Sequence, residues 1–334
     1  MKLLTPVYQI EVIFLHWLQQ LPCFVGEFWE RFWLICTKLG DPAWAFVLFF
    51  PFLFPLVGRQ TAIKFLIAAA VSEFANGILK WILHGDRPYW YVRDEAHAAS
   101  FAGEKYELKQ FQLTCETGPG SPSGHVMVTC CVFYVLIQAY KSSHKRSRRN
   151  LCLLWSLYVC LLALVSISRL YIAAHFPHQV ALGLACGLCI GQLCAKLRPS
   201  EWGVREPTLL CLALIVIGLS TYAILIWQGF DPDWSIHLAA RHCANPAWVH
   251  VSTTPLSALF RDISALIGMA FAIKYQPRKE GWSNLERSSS GRGIIDPQLP
   301  RVAFGHQSQS LPPSGTAGNN IAKRQKPLGS SPFL

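Results

Sequence analysis

Apolar residues fall in blocks along this chain, with polar stretches between them. The blocks run from about 44 to 57, 61 to 83, 124 to 140, 151 to 167, 179 to 197, 208 to 227 and 255 to 275. Each lies near the roughly 20 residues needed to cross a hydrocarbon core, and none alternates as a membrane strand would. The pattern predicts an all-α fold, a polytopic transmembrane helical bundle of about seven spans. Residues 1–40 are apolar-aromatic with interspersed charge (Glu11, Glu27, Glu30, Arg31, Lys38). They read as an amphipathic lead-in at the interface rather than a cleavable signal peptide. The transmembrane domain is expected over 41–275. From about Gln276 the chain turns to Gly, Ser, Pro, Arg and Gln with no apolar block, which predicts a disordered, low-complexity tail over 276–334.

Composition narrows the class. Only 15% of the 334 residues are charged and 52% are hydrophobic, against roughly 25% charged in a soluble domain, so a water-soluble globule is excluded. The net charge of +11 does not point to nucleic acid. Its densest run, Lys141, Lys145, Arg146, Arg148 and Arg149, lies between two apolar blocks, as a short cytoplasmic loop does under the positive-inside rule. Arg59, Lys64, Lys196, Arg198 and Arg205 fall on that same side if the chain alternates. The N-terminus and the stretches 84–121, 168–178 and 228–254 then lie on the lumenal or extracellular side. The 12 cysteines show no zinc spacing. Most sit in apolar blocks as small hydrophobes, whereas Cys115 and Cys243 occupy polar stretches and would pair if both face an oxidising lumen.

Ionisable residues inside spans need a reason. Glu73, Asn76 and Lys80, spaced by three and four, share one helix face that should point inward; an internal hydrogen-bond cluster with a snorkelling Lys80 is the plain alternative. Arg87 precedes Pro88, which disfavours helix there and puts the guanidinium just past the helix end. The run Gly118-Pro119-Gly120-Ser121-Pro122-Ser123-Gly124-His125 makes a tight turn into a helix start, where free N–H groups attract an anion. Capping by Ser121 or Ser123 is its ordinary explanation, but that leaves His125 unexplained. Arg169 closes the fourth block and His175 opens the fifth. The alternating topology puts Lys80, Arg87, His125, Arg169 and His175 at one membrane face. Three cations, a helix N-terminus and two histidines can hold and move a phosphoryl group without metal.

These residues match a known signature. Lys80-x6-Arg87-Pro88, Pro122-Ser123-Gly124-His125 and Ser168-Arg169-x5-His175 resemble the three-part motif of the type 2 phosphatidic acid phosphatase superfamily, which includes vanadium haloperoxidases. The surrounding words, Cys115-Glu116-Thr117-Gly118-Pro119-Gly120 and Ala174-His175-Phe176-Pro177-His178-Gln179 among them, are similar to the glucose-6-phosphatase catalytic subunits. Gly85-Asp86-Arg87, Arg261-Asp262 and the lack of an Asn-x-Ser/Thr site resemble the ubiquitous branch more than the liver branch. The similarity covers about residues 25–275. The family has nine spans, and 276–334 stands where its last two would.

The resemblance implies hydrolysis of glucose 6-phosphate, or a related sugar phosphate, at the lumenal side of a multi-pass protein in the endoplasmic reticulum membrane. His175 would form a phosphohistidine and His125 would act as acid and base. Lys80, Arg87, Arg169 and the amides of Ser123 and Gly124 would bind phosphate. Gln179, where the superfamily has Asp, would orient His175. No cofactor, metal or nucleic acid enters, and the lipid bilayer and a glucose-6-phosphate transporter are the implied partners. A lipid-phosphate phosphatase or an inactive truncated isoform are the alternatives.

Overall fold

The computed structural model describes residues 5–94, 106–143, 147–199 and 202–275. The expected tail, 276–334, and Lys145 and Arg146 of the basic run lie outside the described residues. No strand forms among the described residues, and six helices are long and apolar enough to cross a membrane, or seven if one bent pair counts as a span. The chain is a multi-pass membrane protein.

The helices follow the apolar blocks closely. They are α1 (Thr5–Gln20), α2 (Glu27–Leu39), α3 (Pro42–Val57), α4 (Arg59–Leu83), the short α5 (Pro88–Tyr91) and α6 (Gly124–Lys141). After them come α7 (Arg148–Tyr171), α8 (Pro177–Ala195), α9 (Arg205–Trp227), the short α10 (Trp234–His242) and α11 (Pro255–Tyr275). The bent pair is α2 with α3, which meet at 53°. Gly40 and Asp41 fall at that break, and Asp41 caps α3 by accepting from the Ala43 amide at 2.9 Å. The first expected span, 44–57, is therefore one half of a broken pair whose other half begins at Glu27.

Local chemistry sets the ends that matter for function. His84 takes a left-handed conformation (φ 47°) and its amide returns to the Lys80 carbonyl, which stops α4. Arg87 is extended (φ −108°, ψ 149°), as a residue before proline should be, and Pro88 then starts α5. Pro177 starts α8 in the same way.

Two helix contacts carry the bundle toward the site. α8 presents Gly183, Gly187 and Gly191, one every four residues, to the backbone of α6. A Cβ on them would come within 2.8 Å of the Ser123 carbonyl oxygen, 2.4 Å of that of Met127 and 3.2 Å of that of Cys131. Small residues at that spacing let two membrane helices pack backbone to backbone. On the other flank α11 lies along α4, with Leu259, Leu266 and Met269 buried against Ile63, Ile67, Ala70 and Phe74. α1 crosses the end of the bundle, where Tyr8, Val12 and Leu15 are buried with Tyr89, Trp90 and Phe176.

Candidate active site

The site forms where the ends of α4, α6 and α7 meet the start of α8. A segment between α5 and α6 enters from the side and is clamped in place. Cys115 forms a disulfide with Cys243, the pairing expected for an oxidising compartment. The Thr117 amide donates to Thr253 Oγ1 (2.9 Å), Thr117 Oγ1 donates to the His250 carbonyl (2.8 Å) and Ser235 Oγ donates to the Thr117 carbonyl (2.7 Å). Ser235 of α10 and residues of the segment after it thus hold the strip that carries Glu116.

Glu116 is the acidic centre of the cluster. Its carboxylate meets Arg87 Nη1 at 3.0 Å, Arg169 Nη2 at 2.5 Å and His125 Nδ1 at 3.8 Å. Burial alone would raise its pKa, but Arg169 and then Arg87 outweigh that and hold it well below the usual carboxylate range. The carboxylate is ionised at neutral pH.

Arg87 is wholly buried. It donates from Nε to the Gly118 carbonyl (2.7 Å), from Nη1 to Ala174 (3.0 Å) and from Nη2 to Pro119 (3.3 Å). These bonds fix the plane of the guanidinium and tie three loops together. Arg169 is equally buried, yet its Nε and Nη1 have no hydrogen-bond partner. Buried guanidinium donors are almost always satisfied, so an arginine with an open edge on a cavity wall is built for an anion.

His175 is buried beside them. Its Nδ1 lies 2.7 Å from the Gly120 carbonyl, so Nδ1 carries the proton and Nε2 is the free nitrogen. That Nε2 sits 3.5 Å from Arg87 Nη1. Burial first, then Arg87 and Arg169, push the imidazolium well below the usual histidine range. His175 is a neutral imidazole with its one lone pair turned to Arg87. Gly120 must be glycine, since a Cβ there would come 2.4 Å from the Asp86 carbonyl oxygen.

Gln179 does not do what the superfamily Asp would do. Its Nε2 donates to the Asp86 carbonyl (2.6 Å) and its Oε1 accepts from the Phe176 amide (3.1 Å). It anchors the turn before α5 to the start of α8, and the orienting of His175 passes to a backbone carbonyl. The Ser123 amide also differs from expectation. It donates to the Gln179 carbonyl (3.1 Å), and the Ser123 hydroxyl is buried with no hydrogen-bond partner. Gly124 opens α6 with Asn76 Oδ1 so close that a Cβ would sit 2.8 Å away.

A cavity of about 320 Å³ adjoins the cluster. Lys80, Gly124, His125, Glu116 and Arg169 line one end. Glu73, Asn76 and Arg261 line the body, so the inward face expected for α4 is the cavity wall. Glu73 is ion-paired with Arg261, and Asn76 donates to the Pro122 carbonyl (3.0 Å). Thr37, Lys38, Asp41, Ser252 and Thr253 add polar groups to a wall that Leu113, Val128 and Pro255 make partly apolar. The five residues expected at one face are thereby brought together, with Arg87 and His175 behind Glu116. Glu116 carried no assigned role in the sequence, because a charge in a long polar stretch has no periodicity to mark it. The glycine stripe of α8 was legible as a four-residue spacing.

The geometry is that of a membrane-embedded phosphoryl-transfer enzyme, and sequence comparison agrees. Residues 61–202 match the PAP2 superfamily. Human glucose-6-phosphatase 2 is 36% identical over 249 residues, 71% of this chain and 69% of that protein. Human glucose-6-phosphatase 3 is 35% identical over 267 residues, 79% and 75% of the two chains. The Bos taurus glucose-6-phosphatase catalytic subunit 1 is 34% identical over 259 residues, 75% and 72%. No solved structure matches. The chain belongs to the glucose-6-phosphatase family of the PAP2 superfamily, and so is a membrane phosphatase relative.

Proposed function

We propose that the protein hydrolyses glucose 6-phosphate, or a close sugar phosphate, through a phosphohistidine. The observation that carries this reading is the open, buried edge of Arg169 on the wall of a cavity that Lys80 and His125 also line. Charge points the same way. Lys80, Arg87 and Arg169 supply three positive charges, and Glu116 removes one. With His125 carrying the proton it donates, a phosphate monoester dianion then leaves the cluster with one net positive charge. The hydroxyls of Thr37, Ser252 and Thr253 and the Asn76 amide, set among apolar lining, give sugar hydroxyls partners that acyl chains would leave unused.

In the reaction His175 Nε2 attacks phosphorus and the bond to the sugar oxygen breaks. His125 gives that oxygen a proton, so glucose leaves neutral. A water then attacks the phosphohistidine, His125 takes its proton, and the P–N bond breaks to release inorganic phosphate. Lys80, Arg87, Arg169 and the Ser123 hydroxyl hold the three equatorial oxygens, and the α6 N-terminus at Gly124 adds its dipole. The basic residues of 141–149 follow the opposite end of α6, which supports a lumenal site under the positive-inside rule. We place the protein in the endoplasmic reticulum membrane, fed by a glucose-6-phosphate transporter. The partition into 1–40, 41–275 and 276–334 belongs to the same proposal, with Thr37 and Lys38 of the first part reaching the cavity wall.

The test is phosphate release by membranes expressing the chain, with glucose 6-phosphate and phosphatidic acid side by side. Glucose 6-phosphate should be preferred, and a chelator should change nothing. Labelled substrate should leave acid-labile, base-stable phosphate on the protein that disappears in His175→Ala. A well-folded protein with no trapped label excludes the covalent step, and preference for phosphatidic acid replaces the sugar reading by the lipid one.

A further inference from the structure

Glu116 is a carboxylate lodged where an anionic substrate must bind. A purely phosphate-binding cluster gains nothing from it, because it repels the ligand and occupies its donors. Yet the fold fixes it from several sides. Tyr89 Oη donates to its carbonyl (3.0 Å), its backbone bridges to His250, and the disulfide holds its neighbour Cys115. Its Oε1 points at both Arg169 Nη2 and His125 Nδ1. Resting on the reading above, we propose that Glu116 is a positioning residue with two linked tasks: its carboxylate accepts a hydrogen bond from His125 Nδ1–H during the reaction, and it competes with phosphate oxygens for the positive charge of Arg87 and Arg169.

The first task follows from the chemistry of the leaving group. A sugar alkoxide departs only if it is protonated as the bond breaks. A carboxylate on Nδ1 fixes the tautomer, turns Nε2 toward the sugar oxygen and sustains the imidazolium that gives up the proton. The other charged or titratable groups around His125 and Glu116 are Lys80 on α4, Arg87, Arg169 on α7, His175, Asp41 at the α2–α3 break and His250. Lys80 and Arg169 oppose a positive imidazole, and Asp41 is the more distant counterweight, so Glu116 is the carboxylate in contact. The second task follows from a shared charge: Glu116 holds Arg169 through Nη2, while Nε and Nη1 stand open. When a phosphoryl group engages that open edge, the two anions divide one guanidinium charge, which weakens the hold of Arg169 on Glu116 and frees Oε1 for His125. When the products leave, the carboxylate reclaims the arginine and speeds phosphate release.

Glu116→Gln keeps the shape and removes the charge. The full-length variant in detergent should bind orthovanadate, read by thermal shift, roughly tenfold more tightly than wild type, because the anion that shares the arginines' positive charge is gone. Its kcat/KM for glucose 6-phosphate should fall roughly a hundredfold, the scale of general acid catalysis. With p-nitrophenyl phosphate, whose leaving group needs no proton, the fall should be less than about tenfold. Equal losses for the two esters, or unchanged vanadate binding, overturn the proposal, since a structural role would move both substrates alike. If the Gln variant does not fold, Glu116→Asp keeps the charge on a shorter arm and should show the same ordering of the two esters. Vanadate binding does not require turnover. An inactive wild type whose Gln variant still binds vanadate more tightly refutes the hydrolase reading and leaves the competition intact.

Discussion

The contact between α6 and α8 sets the distance between the two histidines, and Gly187→Ala tests it. Gly187 is buried, and a Cβ there would lie 2.4 Å from the Met127 carbonyl oxygen and 2.9 Å from Cys130 Cβ. Ordinary contact begins near 3.4 Å, so the helices must part by about 1 Å. Neither neighbour is the tip of a flexible side chain, which leaves a rigid shift as the means of relief. Overpacking of this kind costs about 1–3 kcal/mol. α8 begins two residues after His175, and α6 carries His125 in its first turn. A displacement of about 1 Å between reacting groups costs on the order of a hundredfold in rate. Gly268→Ala in α11 is the matched control, because nothing lies within 4 Å of its Cβ position. That change should be neutral or gain up to about 1 kcal/mol from helix propensity. The assays are thermal unfolding of the full chain in detergent and phosphate release from glucose 6-phosphate. Gly187→Ala should lose both stability and turnover while Gly268→Ala loses neither. A Gly187→Ala protein with wild-type melting and rate would refute the backbone-to-backbone packing and the argument that it spaces the histidines.

Two further outcomes follow from the same geometry. Arg169→Lys keeps the charge but loses the planar fork whose Nε and Nη1 stand open, so kcat/KM should fall by about 2–4 kcal/mol of barrier stabilisation while the melting temperature moves little. Stability should decline on acidification in two windows. Folded His175 binds fewer protons than the unfolded chain once pH drops below its ordinary 6.5, and folded Glu116 does so below its ordinary 4.5. Each contribution is present above the ordinary value and is lost as pH falls toward the depressed folded one. Melting temperature measured from pH 8 to pH 4 should hold down to about 6.5 and then fall, and His175→Asn should shrink the first decline while leaving the second.

The local sequence determined the helices and the identity of the reactive groups. An apolar block in a bilayer has to satisfy its own backbone, so its length and composition already specify a spanning helix, and six of the expected blocks appear within a few residues of their ends. Pro88 and Pro177 set the starts of α5 and α8 without help from tertiary contacts. The cationic residues at helix ends could be assigned to one side because alternation of spans allows two faces and no more. What the tertiary structure decided lies in the stretches that have no period. Glu116 became the centre of the charge network because two arginines, 29 residues before and 53 after it, close around one carboxylate. The role expected of Gln179 passed to the Gly120 carbonyl because Gln179 is engaged with Asp86 and Phe176. The break between α2 and α3 depends on α2 packing against α7, where Gly40 meets Val165. In each case the outcome rests on which distant group arrives to satisfy a buried polar atom, and chain order does not encode that directly.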